Sequence, residues 1–131
     1  AGLGQNARAA LIARGFAEMV RYGLARGAQL ETLSGLAGLG DLVLTCSSSS
    51  SRNFSLGRGL GEGRLASDLL ADRRTVAEGA FSAAILVADA RARGVDMPIC
   101  DAVARLVAGD VVAGDVIGEL PARPLTGEGW A

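Results

Sequence analysis

The sequence contains no histidine and no lysine, so all 13 of its basic residues are arginines. Arginine stays protonated at any ordinary pH, and it therefore binds anions well but serves poorly as a general base. Any proton transfer by this chain alone must use aspartate, glutamate, tyrosine or cysteine side chains. A metal site made of histidine and cysteine clusters is excluded by the same count, because only two cysteines are present.

Aromatic residues are also scarce, at 4% of the 131 residues, whereas half of all residues are hydrophobic. A core made mainly of alanine, leucine and valine suits helices that pack closely together. The length is typical of one domain, and we expect residues 1–131 to form a single helical domain.

The net charge and the length of the apolar runs argue against nucleic-acid-binding and membrane proteins. A net charge of −1 and a pI near 5.4 argue against general affinity for nucleic acid or for anionic membranes. No apolar run approaches the roughly 18 residues of a spanning helix, so we expect no membrane span. A disulfide between Cys46 and Cys100 is possible, but their number and spacing favour two reduced thiols in a cytoplasmic protein.

The spacing of apolar residues predicts an all-α domain of about six or seven helices. Two long helices are predicted over residues 7–26 and 75–93, and Asn6 is the expected cap of the first. Asp96 is a possible cap for the helix that opens at Pro98. The remaining predicted elements are shorter helices over residues 29–37, 52–60, 67–70, 98–108 and 111–120, and an irregular tail over 122–131.

The stretch Leu42-Val43-Leu44 is ambiguous, because it fits either a buried strand or part of a helix capped by Asp41. No partner strand is evident elsewhere in the sequence. We therefore prefer the helix.

Two glycine-rich stretches resemble nucleotide-binding loops only in composition. Residues 57–63 (GRGLGEG) lack the G-x-G-x-x-G spacing and the preceding strand of a dinucleotide-binding fingerprint. Residues 35–41 (GLAGLGD) lack the Gly-Lys-Ser/Thr ending of a phosphate loop. We interpret both stretches as helix ends and tight turns.

A run of five serines over residues 47–51 is, by composition alone, typical of a flexible surface loop. Its flanks indicate something more specific, because Asp41, Thr45, Ser48 and Arg52 follow one another at steps of four, three and four residues. On a continuous helix these side chains would share one face. Serine is a mediocre helix former, so we expect the helix to break inside the run.

Such a break would start a new helix near Ser51, and the first N–H groups of a helix attract anions. Ser51 supplies a hydroxyl, Arg52 a two-pronged cation and Asn53 an amide. A phosphate or a phosphorylated substrate suits this cluster. Both interpretations, flexible loop and anion site, remain open from the residues alone.

Three stretches resemble one known family. They are GQNARAALIARGFAEMVRYG, LSGLAGLGDLVLTCSSSSSRNFSLGRGLGEG and TVAEGAFSA. Together they are similar to the C-terminal, substrate-binding domain of bacterial NAD(P)-dependent glycerol-3-phosphate dehydrogenase, over about residues 2–109. The resemblance implies an all-α fold of the 6-phosphogluconate dehydrogenase C-terminal-like type, and a cytoplasmic oxidoreductase of glycerophospholipid biosynthesis.

In that family an N-terminal Rossmann domain binds NAD or NADP, and the helical domain closes over glycerol 3-phosphate or dihydroxyacetone phosphate. The reaction is reversible hydride transfer between the cofactor and C2 of the three-carbon phosphate. The resemblance therefore implies two partners, the three-carbon phosphate and a Rossmann domain that is absent from this sequence. Loss of that domain would expose an apolar surface between domains, so self-association into a homodimer stays open.

The resemblance also implies roles for individual residues. The expected substrate-binding residues are Asp41, Thr45, Ser51, Arg52 and Asn53. The expected cofactor-binding residues are Arg52, Val76 and Glu78. A core valine at Val76 and a solvated helix face at Glu78 remain the alternatives.

The family's catalytic lysine lies in a Lys-Asn segment upstream of the position matched by Gly4, and this sequence holds no lysine. We therefore assign no catalytic residue here and expect no dehydrogenase activity from the chain alone. Two other functions stay open: a non-enzymatic helical module that binds a phosphometabolite or a protein, and a domain of a related dehydrogenase acting on another hydroxy acid.

Overall fold

The structure, a computed structural model, describes residues 1–48, 50–71 and 77–119, and within these ranges the chain is helical without any strand. The predicted all-α class is confirmed. The described helices are α1 (Gln5–Ala25), α2 (Leu30–Leu33), α3 (Asp41–Ser47), α4 (Arg52–Gly61), α5 (Ala66–Leu70), α6 (Glu78–Ala92), α7 (Pro98–Ala108) and α8 (Ala113–Glu119), with a π turn at Leu36–Gly40.

Helix α1 supplies the centre of the core with Phe16, Ala17 and Val20, which are all buried. The predicted cap was wrong, since the N-cap is Gly4 and its extended backbone starts the helix before Asn6 is reached. Asn6 is therefore the second residue of the helix, and its side chain does not occupy the N-cap position.

Helix α6 packs mainly on α7, and small side chains make their contact close. The buried residues of α6 recur at steps of three, four and three residues, as a helix face requires: Ala80, Ala83, Val87 and Ala90. The predicted bounds of 75–93 were wrong at the start, because Ala77 is the N-cap with extended backbone angles and the helix begins at Glu78. The predicted tail over 122–131 lies outside the described residues.

The N-terminus of α7 is capped by a side chain from another helix. The buried carboxylate of Glu18, in α1, accepts hydrogen bonds from the backbone N–H groups of Ile99 and Cys100, the second at 3.2 Å. The prediction that Asp96 is the N-cap was wrong, because Met97 occupies that position, and Met97 makes no side-chain capping bond. Glu18 thus joins α1 to α7 through the unpaired donors of a helix start.

A second polar contact joins α1 to α6. The Tyr22 hydroxyl donates to the Asp89 carboxylate at 2.5 Å, and Arg26 and Arg93 approach the same oxygen at 3.1 and 2.9 Å. These hydrogen bonds, that of Tyr22 first and that of Arg93 next, lower the pKa of the Asp89 carboxyl to about 2. The lowered pKa means that these partners favour the charged form of Asp89.

The stretch between α1 and α3 is less regular than predicted. In place of one helix over 29–37, α2 ends at Leu33 and the π turn follows, closed by a hydrogen bond from the Gly40 N–H to the Gly35 carbonyl at 3.1 Å. Gly38 faces the backbone of α2, since a Cβ there would lie 1.9 Å from the Leu33 carbonyl oxygen. Only glycine allows this approach, so the break in the helix is a packing requirement.

The ambiguous stretch at 42–44 is helical, and this preference is confirmed. Asp41 is the first residue of α3 and not its cap, because Gly40 already has helical backbone angles. An acidic residue in the first turn still suits the positive end of the helix dipole.

We expect Glu18→Gln to destabilise the fold by about 1–3 kcal/mol at neutral pH, because an amide has one acceptor oxygen and one N–H of α7 loses its partner. The measurement is chemical denaturation. Glu31→Gln, at an exposed position of α2, is the matched control and should leave stability unchanged.

The same variant should also change the pH dependence of stability. Burial raises the pKa of the Glu18 carboxyl above its ordinary value, so ionisation of this group opposes folding. Its contribution to stability is fully present below the unfolded-state pKa and is lost as the pH rises through the folded-state pKa. Glu18→Gln should remove this loss, and an unchanged pH profile would contradict the assignment.

Gly38→Ala should destabilise the chain by about 1–3 kcal/mol, because the added methyl group meets backbone that cannot move independently. Denaturation midpoints provide the measurement. Gly57→Ala is the control, since a Cβ at Gly57 in α4 meets nothing within 4 Å. That change should be neutral or stabilising by about 0.5–1 kcal/mol, and equal effects at the two positions would refute the packing requirement.

Candidate functional site

The first part of the candidate site lies on α3. Asp41 opens the helix and Thr45 follows one turn later, so the two side chains share a face, Asp41 exposed and Thr45 half-buried. Ser48 and Arg52 do not continue that face. Helix α3 ends at Ser47 and Ser48 has extended backbone angles, which confirms the predicted break inside the serine run.

The described part of the serine run is a hydrogen-bonded turn. The Ser48 and Ser50 hydroxyls lie 2.6 Å apart, and the Ser51 N–H donates to the Ser48 carbonyl at 3.2 Å. Ser51 then acts as the N-cap of α4, its hydroxyl oxygen accepting from the Phe54 N–H at 3.3 Å. The predicted new helix near Ser51 is confirmed, and Arg52 and Asn53 are its first two residues.

A hydrogen bond joins this helix start to that of α6. The Asn53 side-chain oxygen accepts from the Gly79 backbone N–H at 3.1 Å. The N-cap of α6, Ala77, offers no side-chain acceptor, so Asn53 acts as the cap from a distance. Glu78 is the neighbour of Gly79, and the bond therefore brings the predicted Glu78 segment beside Asn53.

The site is open and polar. Arg52, Asn53 and Glu78 are exposed, and among the residues that the structure describes no carboxylate forms an ion pair with Arg52. Its guanidinium is thus available to an anion at the start of α4. The positive end of the helix dipole lies at the same place and also attracts an anion. Val76, predicted to touch the cofactor, lies outside the described residues.

The two cysteines, Cys46 and Cys100, are both free thiols. Burial raises the pKa of the Cys100 thiol to about 12, and the neighbouring Glu18 carboxylate adds to the effect. Burial also raises the pKa of the Cys46 thiol. Neither thiol is activated, because nucleophilic cysteines have a lowered pKa.

Two features are absent from the described ranges. No group of three or more histidine, cysteine, aspartate or glutamate side chains is placed to hold a metal ion there. No helix in those ranges combines the length and the apolar character that crossing a membrane requires.

Residues 1–117 match the family described as NAD-dependent glycerol-3-phosphate dehydrogenase C-terminus. The chain belongs to this family. The match covers every predicted site residue and extends beyond residue 109, where the sequence resemblance was expected to become loose. Membership in the glycerol-3-phosphate dehydrogenase C-terminal family also confirms the resemblance found from the three sequence stretches.

Relatives of known name support the assignment to the glycerol-3-phosphate dehydrogenase C-terminal family. The glycerol-3-phosphate dehydrogenase [NAD(P)+] 1 of Sphingopyxis alaskensis is 68% identical over 129 residues, 98% of this chain and 39% of that protein. The enzyme of Erythrobacter litoralis is 68% identical over 127 residues, 97% of this chain and 38% of that protein. The chain thus spans about two fifths of the length of these curated relatives.

A solved structure has the same fold. The crystal structure of glycerol-3-phosphate dehydrogenase from Coxiella burnetii superposes with a TM-score of 0.86 at 41% identity, over 92% of this chain and 37% of that one. The helical arrangement described above is therefore shared with a crystallised member of the family.

Gly79 is the residue of the site that sequence reasoning missed. No site role was predicted for it, whereas its N–H is the donor that holds the Asn53 side chain. The sequence signal is limited to the glycine itself, which lowers helix propensity in an alanine-rich helix but does not identify its partner.

We expect both cysteines to react slowly with iodoacetamide in the folded chain near neutral pH, because the thiolate is the reactive form. Mass spectrometry of the alkylated chain measures the rates, and the chain unfolded in denaturant is the control. Rapid labelling of Cys100 in the folded state would contradict its burial beside Glu18.

Proposed function

We propose that this chain is the substrate-binding part of an NAD(P)-dependent glycerol-3-phosphate dehydrogenase. The observation that carries the proposal is the match of residues 1–117 to the C-terminal family of that enzyme. The names of the relatives support it, since both are called glycerol-3-phosphate dehydrogenase [NAD(P)+].

In this proposal the phosphate of glycerol 3-phosphate or dihydroxyacetone phosphate binds at the start of α4. Arg52 neutralises its negative charge, and Ser51 and Asn53 hold its oxygens or those of the rest of the substrate by hydrogen bonds. An exposed arginine at a helix start is the arrangement that an anion requires. The role of these residues is to fix C2 in place, because orientation contributes a large part of enzymatic rate enhancement.

Asp41 and Thr45 contribute from α3. They lie one turn apart on a helix that contacts both α1 and α4. We assign them to holding the substrate and to orienting the catalytic lysine, which the remainder of the enzyme supplies because this sequence has none.

The residues also fit an anionic dinucleotide cofactor. Arg52 is exposed and close in the chain to Asn53, which is tied to the start of α6 beside Glu78. We assign Arg52, Glu78 and Val76 to contacts with NAD or NADP, held mainly by a Rossmann domain in the whole enzyme. When bound, the nicotinamide accepts or supplies the hydride at C2 of the substrate.

Exposed apolar side chains adjoin these positions. Leu44 is 67% exposed one turn from Asp41, and Phe81 is 63% exposed one turn from Glu78. We place the contact with the cofactor-binding domain here, because apolar groups beside a site formed between domains are buried when the domains meet.

The test is a hybrid enzyme in which this chain replaces the matching region of the Sphingopyxis alaskensis relative. We expect the hybrid to oxidise reduced nicotinamide cofactor with dihydroxyacetone phosphate, and the chain alone to have no activity. Absorbance of the reduced cofactor provides the measurement. A folded but inactive hybrid would overturn the proposed function.

Within the hybrid, Arg52→Ala should lower kcat/KM by about 100-fold, because the substrate loses its charged anchor and its alignment. Arg64→Ala is the matched control, since Arg64 is exposed in the turn after α4 and has no assigned role. Equal activity of the two variants would refute the role given to Arg52.

A further inference from the structure

The contact between Asn53 and Gly79 is closer than the hydrogen bond alone indicates. A Cβ atom placed on Gly79 would lie 2.9 Å from the Asn53 side-chain oxygen and 3.3 Å from its carboxamide carbon. Any residue other than glycine at position 79 would thus occupy the space in which the Asn53 amide rests. Alanine stabilises a helix more than glycine does, so helix stability does not explain why position 79 of this alanine-rich helix is a glycine.

The displaced group would be a side chain and not the backbone. Asn53 is exposed and its amide can rotate away at little cost, so the fold should tolerate a methyl group at position 79. The orientation of Asn53 would be lost, because its oxygen could no longer accept the Gly79 N–H.

We propose that Gly79 is a positioning residue that aims the Asn53 amide at the substrate. The inference rests on the proposed function of Asn53 and extends it to a residue that touches no substrate atom. With the oxygen held by the Gly79 N–H, the amide nitrogen of Asn53 keeps its two hydrogens to donate. Gly79 therefore fixes which end of the amide faces the ligand.

A purely structural role for Gly79 makes a different prediction. If glycine were needed only for packing, substitution would reduce the amount of folded protein and lower kcat without changing KM. If Gly79 positions Asn53, substitution raises KM for dihydroxyacetone phosphate in enzyme that is still folded.

The first measurement uses the 131-residue chain itself and does not depend on activity. Denaturation midpoints are compared for Gly79→Ala, for Asn53→Ala and for the double variant. Gly114→Ala is the matched control, because Gly114 is likewise the second residue of its helix and a Cβ there meets nothing within 4 Å. We expect Gly114→Ala to raise the midpoint, Gly79→Ala to raise it less or to lower it, and the gain at position 79 to return once Asn53 is alanine.

The second measurement uses the hybrid enzyme. Gly79→Ala should raise KM for dihydroxyacetone phosphate by about tenfold, the factor that corresponds to one hydrogen bond, with little change in kcat. In the Asn53→Ala background it should have no further effect, and Gly114→Ala should match the parent hybrid.

The outcomes separate the two proposals. An inactive parent hybrid would overturn the proposed function, whereas the midpoints would still decide whether Gly79 and Asn53 are coupled. Additive midpoints in the chain, or an unchanged KM in an active Gly79→Ala hybrid, would overturn the positioning role.

Discussion

The carboxylate of Glu18 holds the start of α7 from a position 81 residues earlier in the chain. Burying a carboxylate is unfavourable unless donors surround it, and the first N–H groups of a helix are donors without partners of their own. The N–H groups thus gain an acceptor, and their hydrogen bonds offset part of the cost of burying the carboxylate. Because α7 in turn packs against α6, this contact helps to set where α6 lies relative to α1, together with the direct bond from Tyr22 to Asp89.

The candidate site depends on that arrangement because its members come from helix starts. Asp41 opens α3, Arg52 and Asn53 open α4, and Glu78 opens α6. The positive dipole ends of α4 and α6 favour an anion at their starts, where Ser51 and Asn53 already pair one N–H group each. With no lysine in the sequence, arginine supplies all of the side-chain cations.

Much of the fold was readable from local patterns. Long apolar stripes predicted α1 and α6, and serine's weak helix propensity predicted the break before Ser51. The caps were mispredicted at Asn6 and Asp96, because capping was judged from nearby residues and the real acceptor for α7 comes from α1. Likewise, the π turn depends on the approach of Gly38 to Leu33, which is a tertiary contact.

The positions of the candidate site residues in the helices could be predicted from the sequence to a similar extent. Spacing placed Asp41 and Thr45 on one face, and the low helix propensity of serine placed Ser51, Arg52 and Asn53 at a helix start, as the structure has them. The pairing of Asn53 with Gly79, 26 residues later, has no local signature, since a backbone donor can be supplied by any residue except proline. Which helix start meets which is decided by packing.

The π turn before α3 has a consequence for helical phase. The backbone hydrogen bond of a π turn spans five residues, whereas that of an α-helix spans four. The π turn therefore contains one residue more than a regular helical turn. One residue corresponds to a rotation of about 100° around a helix axis. A deletion within Leu36–Gly40 that restored ordinary winding would therefore turn the shared face of Asp41 and Thr45 by about a quarter of a revolution. The direction in which Asp41 and Thr45 face is therefore determined by the number of residues before α3, and not by the side chains of α3 itself.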